Sequence, residues 1–167
     1  PPECAYNGDA NGDDVVNVTD VVIIVGWILN EESGDFCSSD VNGDGVINVT
    51  DVVVVVNSIL GGGFGSTHSN VEKATTADIL ITNSNLSVKS DGCIQGVQFK
   101  ISHNSELNLN LENYYISEYR ALEDGSTLVV IIAEACISTI GSINGQYDIS
   151  DLVMSNHEGN QMDNPQV

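Results

Sequence analysis

DVNGDGVINVTDVVVVVNSIL, residues 40–60, has a second version 31 positions earlier, DANGDDVVNVTDVVIIVGWIL at residues 9–29. Fourteen of the 21 aligned positions are identical, so the chain contains an internal duplication. Each copy sets oxygen-bearing side chains at alternate positions and then runs straight into apolar residues. Calcium is a hard cation that takes six to eight oxygens, and short carboxylate and amide side chains at this spacing suit it. In the second copy the candidate ligands are Asp40, Asn42, Asp44, the Val46 carbonyl, Asn48 and Asp51, with Gly45 at the sharp turn. In the first copy they are Asp9, Asn11, Asp13, the Val15 carbonyl, Asn17 and Asp20. Asp14 replaces the turn glycine there. Aspartate tolerates left-handed backbone better than most residues, so the first loop is still expected to close, with some strain. Two calcium ions are expected, the second held more tightly. Neither loop contains Cys or His, which argues against zinc.

The arrangement resembles the dockerin type I repeat, a pair of D-x-N-x-D-G-x-x-N-x-x-D calcium loops, each leading into a helix. The resemblance covers about residues 4–62. It implies an approximate internal twofold and a cohesin partner. It also implies that the residues just before each final Asp help recognise that partner; these are Val18 and Thr19, and Val49 and Thr50. Residues 21–25 and 52–56 are unbroken β-branched runs, poor helix formers that taken alone would read as buried strands. The preceding loops decide for helix. A helix apolar all round must be covered. Cover from the same chain and from another subunit are both open, and the docking character of the module favours the neighbour.

The full chain of 167 residues carries 24 acidic and four basic side chains, a net charge of −20. That balance argues against nucleic acid or an anionic membrane as partner. No apolar stretch reaches the length of a membrane span, so no membrane insertion is expected. The four cysteines allow three pairings. Cys4 and Cys37 each lie a few residues upstream of their own loop, so the twofold that the resemblance implies would bring them together and leave Cys93 to pair with Cys136. Disulfides and calcium sites of this type point to an extracellular or cell-surface location. The chain begins Pro-Pro-Glu-Cys without a signal segment, which reads as a processed mature form.

Residues 61–67, GGGFGST, read as part of a flexible linker assigned to 63–70, between a calcium-binding module at 1–62 and a second module at 71–167. Beyond it the periodicity changes to two. Residues 78–82, 85–89, 94–102, 107–111, 114–119, 127–135 and 147–155 read as strands, with Glu123-Asp124-Gly125 as a hairpin turn. The expected fold class is therefore α+β in two modules, a dockerin-like loop–helix pair followed by an antiparallel β-sandwich. Cys93-Ile-Gln-Gly-Val-Gln-Phe-Lys-Ile-Ser102 resembles the G-[VI]-Q-F strand of cohesin-like sandwiches in bacterial surface proteins.

Motifs for catalysis are missing from the sequence. His68, His103 and His157 are scattered, and there is no nucleophile elbow, zinc-spaced His pair or P-loop. Asp148 and Asp151 are expected on opposite faces of a strand, and Glu134 reads as an outward-facing or paired residue rather than a general acid. Tyr114, Tyr115 and Tyr119 could line a sugar site but are better read as packing, and Trp27 as a core or interface anchor. Asn17, Asn48 and Asn85 begin glycan sequons, the first two already claimed by calcium. No enzyme is expected. The expected function is a secreted calcium-binding structural protein that binds other copies of itself, or a cohesin-like receptor, and assembles head to tail. The alternative is a C-terminal anchor of a larger enzyme or adhesin that docks on a separate scaffold.

Overall fold

Helix formation begins at the loop ends. The Asn17 side chain accepts the Thr19 N–H at 2.8 Å, and Asp20 accepts the Asn17 N–H at 2.8 Å. Asn48 and Asp51 repeat this at 2.7 and 2.9 Å. These are capping boxes in which Asn and Asp replace the usual Ser and Glu, and such a cap is worth about 1 kcal/mol. They start α1 (Val18–Asn30) and α3 (Val49–Asn57), with the single-turn α2 (Phe36–Ser39) between them. The computed structural model describes residues 4–32, 34–62 and 72–167, so the expected linker lies outside the described residues.

Eight strands follow: β1 (Ala77–Thr82), β2 (Asn85–Ser90), β3 (Ile94–His103), β4 (Asn108–Leu111), β5 (Ile116–Ala121), β6 (Thr127–Ile132), β7 (Thr139–Asn144) and β8 (Tyr147–Asn156). They form two antiparallel four-stranded sheets, β1-β2-β7-β4 and β5-β6-β3-β8. The expected α+β class with a sandwich is what the chain adopts. The strand at β7 is not legible as an alternation, because a bulge opposite Leu86 and Ser87 breaks its period. Ile140 and Ile143, three apart, both point into the core, and Gly141 sits between them at φ 152. An added Cβ on Gly141 would lie 2.2 Å from the Asn110 carbonyl oxygen, so only glycine fits.

All six residues of β6 are buried, which one sandwich core cannot explain. Val129 and Ile131 point into the core between the sheets, with Val97, Phe99 and Ile101. Leu128, Val130 and Ile132 point the other way and form one cluster with Val21, Ile24, Val25 and Ile28 of α1 and Val49, Val52, Val53, Val55 and Val56 of α3. The molecule is thus three layers: helix pair, sheet β5-β6-β3-β8, sheet β1-β2-β7-β4. This corrects the expectation that a neighbouring subunit covers the helices, for the chain's own sheet covers α3 and the inner face of α1, leaving Val18 and Val22 exposed. The energetics are one-sided. Burying a valine contributes about 1.5 kcal/mol or more, against about 0.5 kcal/mol lost by placing one in a helix.

Gly96 is where α3 comes closest to the sheet. A Cβ there would stand 2.8 Å from a Val53 methyl and 2.9 Å from a Val49 methyl. Beside it, Gln98 Oε1 accepts the Val49 N–H at 3.1 Å, so the sheet supplies a partner to the helix N-terminus. On the far side the Asn57 side-chain amide donates to the His157 carbonyl at 2.6 Å, and Gly159 packs on Val54.

Both expected disulfides are present, Cys4–Cys37 with Cα atoms 4.5 Å apart and Cys93–Cys136 at 4.9 Å. Each closes a loop long enough to stabilise the fold by about 3–4 kcal/mol. The first ties the two loops together, assisted by the Tyr6 N–H to Cys37 carbonyl bond at 2.7 Å and the Gly8 N–H to Ser38 carbonyl bond at 2.8 Å.

Candidate calcium loops and docking face

The two loops fold alike. In the first, Asp9 Oδ1 accepts the N–H groups of Gly12 (2.8 Å) and Asp13 (3.1 Å), and Oδ2 accepts that of Asp14 (2.9 Å). In the second, Asp40 accepts the N–H groups of Asp44 and Gly45, each at 3.0 Å. Asp14 adopts φ 65 where Gly45 has φ 88, so the substituted residue makes the same left-handed turn. Asn11 and Asn42 each accept from the Asp two residues on, at 2.9 and 3.0 Å. Asp13 and Asp44 accept the Val15 and Val46 N–H groups at 2.9 Å. The loops close on their last residues: Asp20 accepts the Ala10 N–H at 2.9 Å and Asp51 the Asn42 N–H at 3.3 Å. All twelve candidate ligands therefore sit on two short closed turns. Asn17, Asn48, Asp20 and Asp51 serve there as helix caps, legible in the sequence as N-x-x-D.

The residues fit calcium by donor chemistry. Asp9, Asp20, Asp40 and Asp51 are buried, and among the described residues no basic side chain pairs with them. Burial, with Asp44 and Asp40 nearby, pushes Asp51 up to about 6. Buried carboxylates without a cation are unfavourable, and a divalent ion would relieve them. Among the described residues no three His, Cys, Asp or Glu side chains cage an ion by themselves. A calcium ion here would draw on the asparagine and backbone oxygens as well, the mixed oxygen set that calcium takes.

The partner-recognition residues implied by the resemblance do not share one fate. Val18 and Thr19 are exposed, whereas Val49 is buried against the chain's own sheet and Thr50 is buried with its hydroxyl bonded to Asn42 and Asn48 of its own loop. Trp27 is half-buried at the edge of the helix core, its indole covered by Gly34, where a Cβ would come within 2.0 Å of the ring. Sequence reasoning missed Gly96, Gln98 and Gly159, whose roles are set by what packs on them. It also missed a charged clasp in which Lys100 bonds Glu31 and lies 3.9 Å from Asp151. Glu31 holds Lys100 above its ordinary range. Asp151, at φ 51 beside a β8 bulge, faces Lys100 rather than following a strict alternation.

Elsewhere, Tyr114 and Tyr115 enter opposite cores and Tyr119 is exposed, so the three tyrosines do not line one site. His103 is engaged by the Ser105 carbonyl at 2.9 Å and the Thr127 hydroxyl at 3.1 Å. Glu134 faces solvent as expected. His68 lies outside the described residues.

Paired oxygen-lined loops, each capping a helix and strapped by a disulfide, define a calcium-binding docking module. The dockerin type I domain family matches residues 7–60 and again 38–80, so this part of the chain is similar to dockerin type I domains. Such domains bind calcium and dock on cohesins, and the domain itself is a non-catalytic docking module found typically on extracellular or cell-surface proteins. Among curated proteins and solved structures nothing matches the chain. No described helix is long and apolar enough to cross a membrane.

Proposed function

We propose that this is a secreted calcium-binding docking protein that holds two ions. One is bound by Asp9, Asn11, Asp13, Val15, Asn17 and Asp20, the other by Asp40, Asn42, Asp44, Val46, Asn48 and Asp51. The ions supply charge compensation and lock the loops; the protein residues do the rest by presenting α1 and α3. The observation that carries the reading is the seat of α3 on β3, with Gly96 under Val49 and Val53 and Gln98 on the Val49 N–H. Helix pair against sheet is the docking contact, and the sandwich is the cohesin-like side of it. Made within one chain it gives a closed monomer. Exchanged between chains it is heterologous and propagates head to tail into a filament. A chain segment as short as 63–71 gives a millimolar-range effective concentration, so closed monomers dominate below that. The reading assigns no catalytic step to the chain.

The second reading, anchorage on a separate cohesin-like scaffold, is favoured by the exposed apolar residues Val18 and Val22 of α1. Titration calorimetry and sedimentation test the proposal together. Two calcium sites per chain are expected, with Asp44→Ala removing one. Oligomers should appear only at high protein concentration and disappear with chelator. A stoichiometry of zero ends the calcium-docking reading, and a strict monomer at all concentrations ends the filament.

A further inference from the structure

The sequence holds four Asn-Gly pairs: Asn7-Gly8, Asn11-Gly12, Asn42-Gly43 and Asn144-Gly145. Asparagine before glycine is prone to internal attack, because the next backbone nitrogen carries no side chain to hinder its approach to the amide carbon. The structure treats the four pairs differently. In the first three the attacking nitrogen is engaged. The Gly8 N–H donates to the Ser38 carbonyl at 2.8 Å, that of Gly12 to Asp9 Oδ1 at 2.8 Å and that of Gly43 to the Asp40 carbonyl at 3.3 Å. Their amides are held as well. Asn7 Oδ1 accepts the Asp9 N–H at 3.1 Å, and Asn11 both accepts from Asp13 and donates to it. Asn42 does the same with Asp44 and also donates to the Thr50 hydroxyl. Asn144-Gly145 is built otherwise. Both residues are exposed where β7 leaves its sheet for β8. Gly145 lines open cavities of about 430 and 610 Å³, and a Cβ on it would meet nothing nearer than the Glu106 carbonyl oxygen at 3.6 Å. Among the described residues its N–H makes no hydrogen bond. The Asn144 amide is touched by the Ser84 hydroxyl, which donates to Oδ1 at 2.8 Å.

We propose that Asn144 is a site of spontaneous covalent modification, converted through a succinimide to aspartate and isoaspartate, and that the Ser84 hydroxyl promotes the step. The Gly145 nitrogen attacks Asn144 Cγ and gives up its proton. The Cγ–Nδ2 bond breaks, and that nitrogen leaves with the proton as ammonia. Water then adds to either carbonyl of the ring and opens it, so water is the sole co-reactant and nothing is oxidised or reduced. Negative charge gathers on Oδ1 as the nitrogen adds. The Ser84 O–H already donates to that atom, as a donor must to stabilise an oxyanion. In the other three pairs the hydrogen bonds occupy the attacking N–H and hold the amide away from it; here the bond favours the attack. Both products carry a carboxylate, which adds a negative charge to cavities that Glu106 and Asp148 already line. Isoaspartate also routes the backbone through the side-chain carbon and so lengthens the crossing from one sheet to the other. The modification thus ages the end of the sandwich while the asparagines of the calcium loops are spared. It stands independently of the docking reading.

The test ages the full chain in calcium buffer at physiological temperature and follows each Asn-Gly peptide by mass spectrometry. An isoaspartyl carboxyl methyltransferase with its methyl donor serves as the probe for isoaspartate. Asn144 should convert first. Asn7, Asn11 and Asn42 should each lag by about tenfold or more, the worth of the hydrogen bonds they must break. Ser84→Ala should slow conversion at Asn144 by about tenfold, the worth of one bond to a developing charge, and Ser84→Thr, which keeps the hydroxyl, should restore the rate. Asn144→Gln should remove the main site of methyl labelling. An aged chain unmodified at Asn144 overturns the proposal, as does conversion of any loop asparagine at the rate of Asn144. A Ser84→Ala chain that converts as fast as the wild type, or faster, overturns the part assigned to the hydroxyl.

Discussion

Replacing Gly96 by alanine puts a methyl where the structure leaves about half an ångström too little room. The added Cβ would stand 2.8 Å from a Val53 methyl and 2.9 Å from a Val49 methyl, while ordinary contact begins at 3.4 Å. Helical valine is held in one rotamer, so neither methyl can swing aside and α3 must lift from the sheet. Overpacking of this kind costs about 1–3 kcal/mol. The lower entropy of the unfolded alanine chain returns about 0.4–1 kcal/mol. The net loss is about 1–2 kcal/mol, which for a chain of this size lowers Tm by about 2–8 °C. Calorimetry at fixed calcium measures it, and one transition should shift, because helices and sheet share a core. Adding Val53→Ala removes the nearer methyl, so the two changes together should cost at least about 1 kcal/mol less than their sum. An unchanged or raised Tm, or strict additivity, would refute the seat of α3 on β3.

Further outcomes follow from the charged groups. Asp51 is raised from 3.8 to about 6 by burial, so without calcium its share of stability is complete below about pH 4 and is lost as pH rises through 6. Chelated protein should therefore melt at higher temperature at pH 5 than at pH 7.5, by at most about 3 kcal/mol equivalent. Calcium needs the ionised carboxylate, so loaded protein should show the reverse trend, and equal trends would contradict the assignment. Asp91 is lowered from 3.8 to about 2 by the Thr75 hydroxyl and by the N–H groups of Thr76 and Thr75. Its contribution is present above about pH 4 and fades as pH falls through 2. Thr75→Val should bring its carboxyl resonance back toward an ordinary titration by NMR, and an unmoved midpoint would show the hydroxyl to be incidental. Chelation should lower the melting of helices and sheet together, as one far-UV transition; a β-rich half that keeps its own Tm would show that the shared core contributes little.

The local features were legible because their causes are local. The loops, their caps and the helix starts depend on side chains within twelve residues of one another, and Asp14 at φ 65 does what its chemistry allows. The two disulfides follow from where the duplication puts Cys4 and Cys37. Most strands alternate visibly, while β7 does not, because its bulge is set by the register of β2 against it. The doubly buried β6 reads only as an apolar run; that one face serves the sandwich and the other the helices depends on layer order.

Sequence by itself thus determined the oxygen sets, the duplication and two helices that need cover. It could not say what covers them, since valines at 49 and 53 and valines at 18 and 22 are the same residues in the same frame. Only the tertiary structure distinguished the copies, by bringing a glycine of β3 under one pair and leaving the other exposed. The physical reason is that burial belongs to a residue's surroundings, and two identical faces cannot both occupy one sheet.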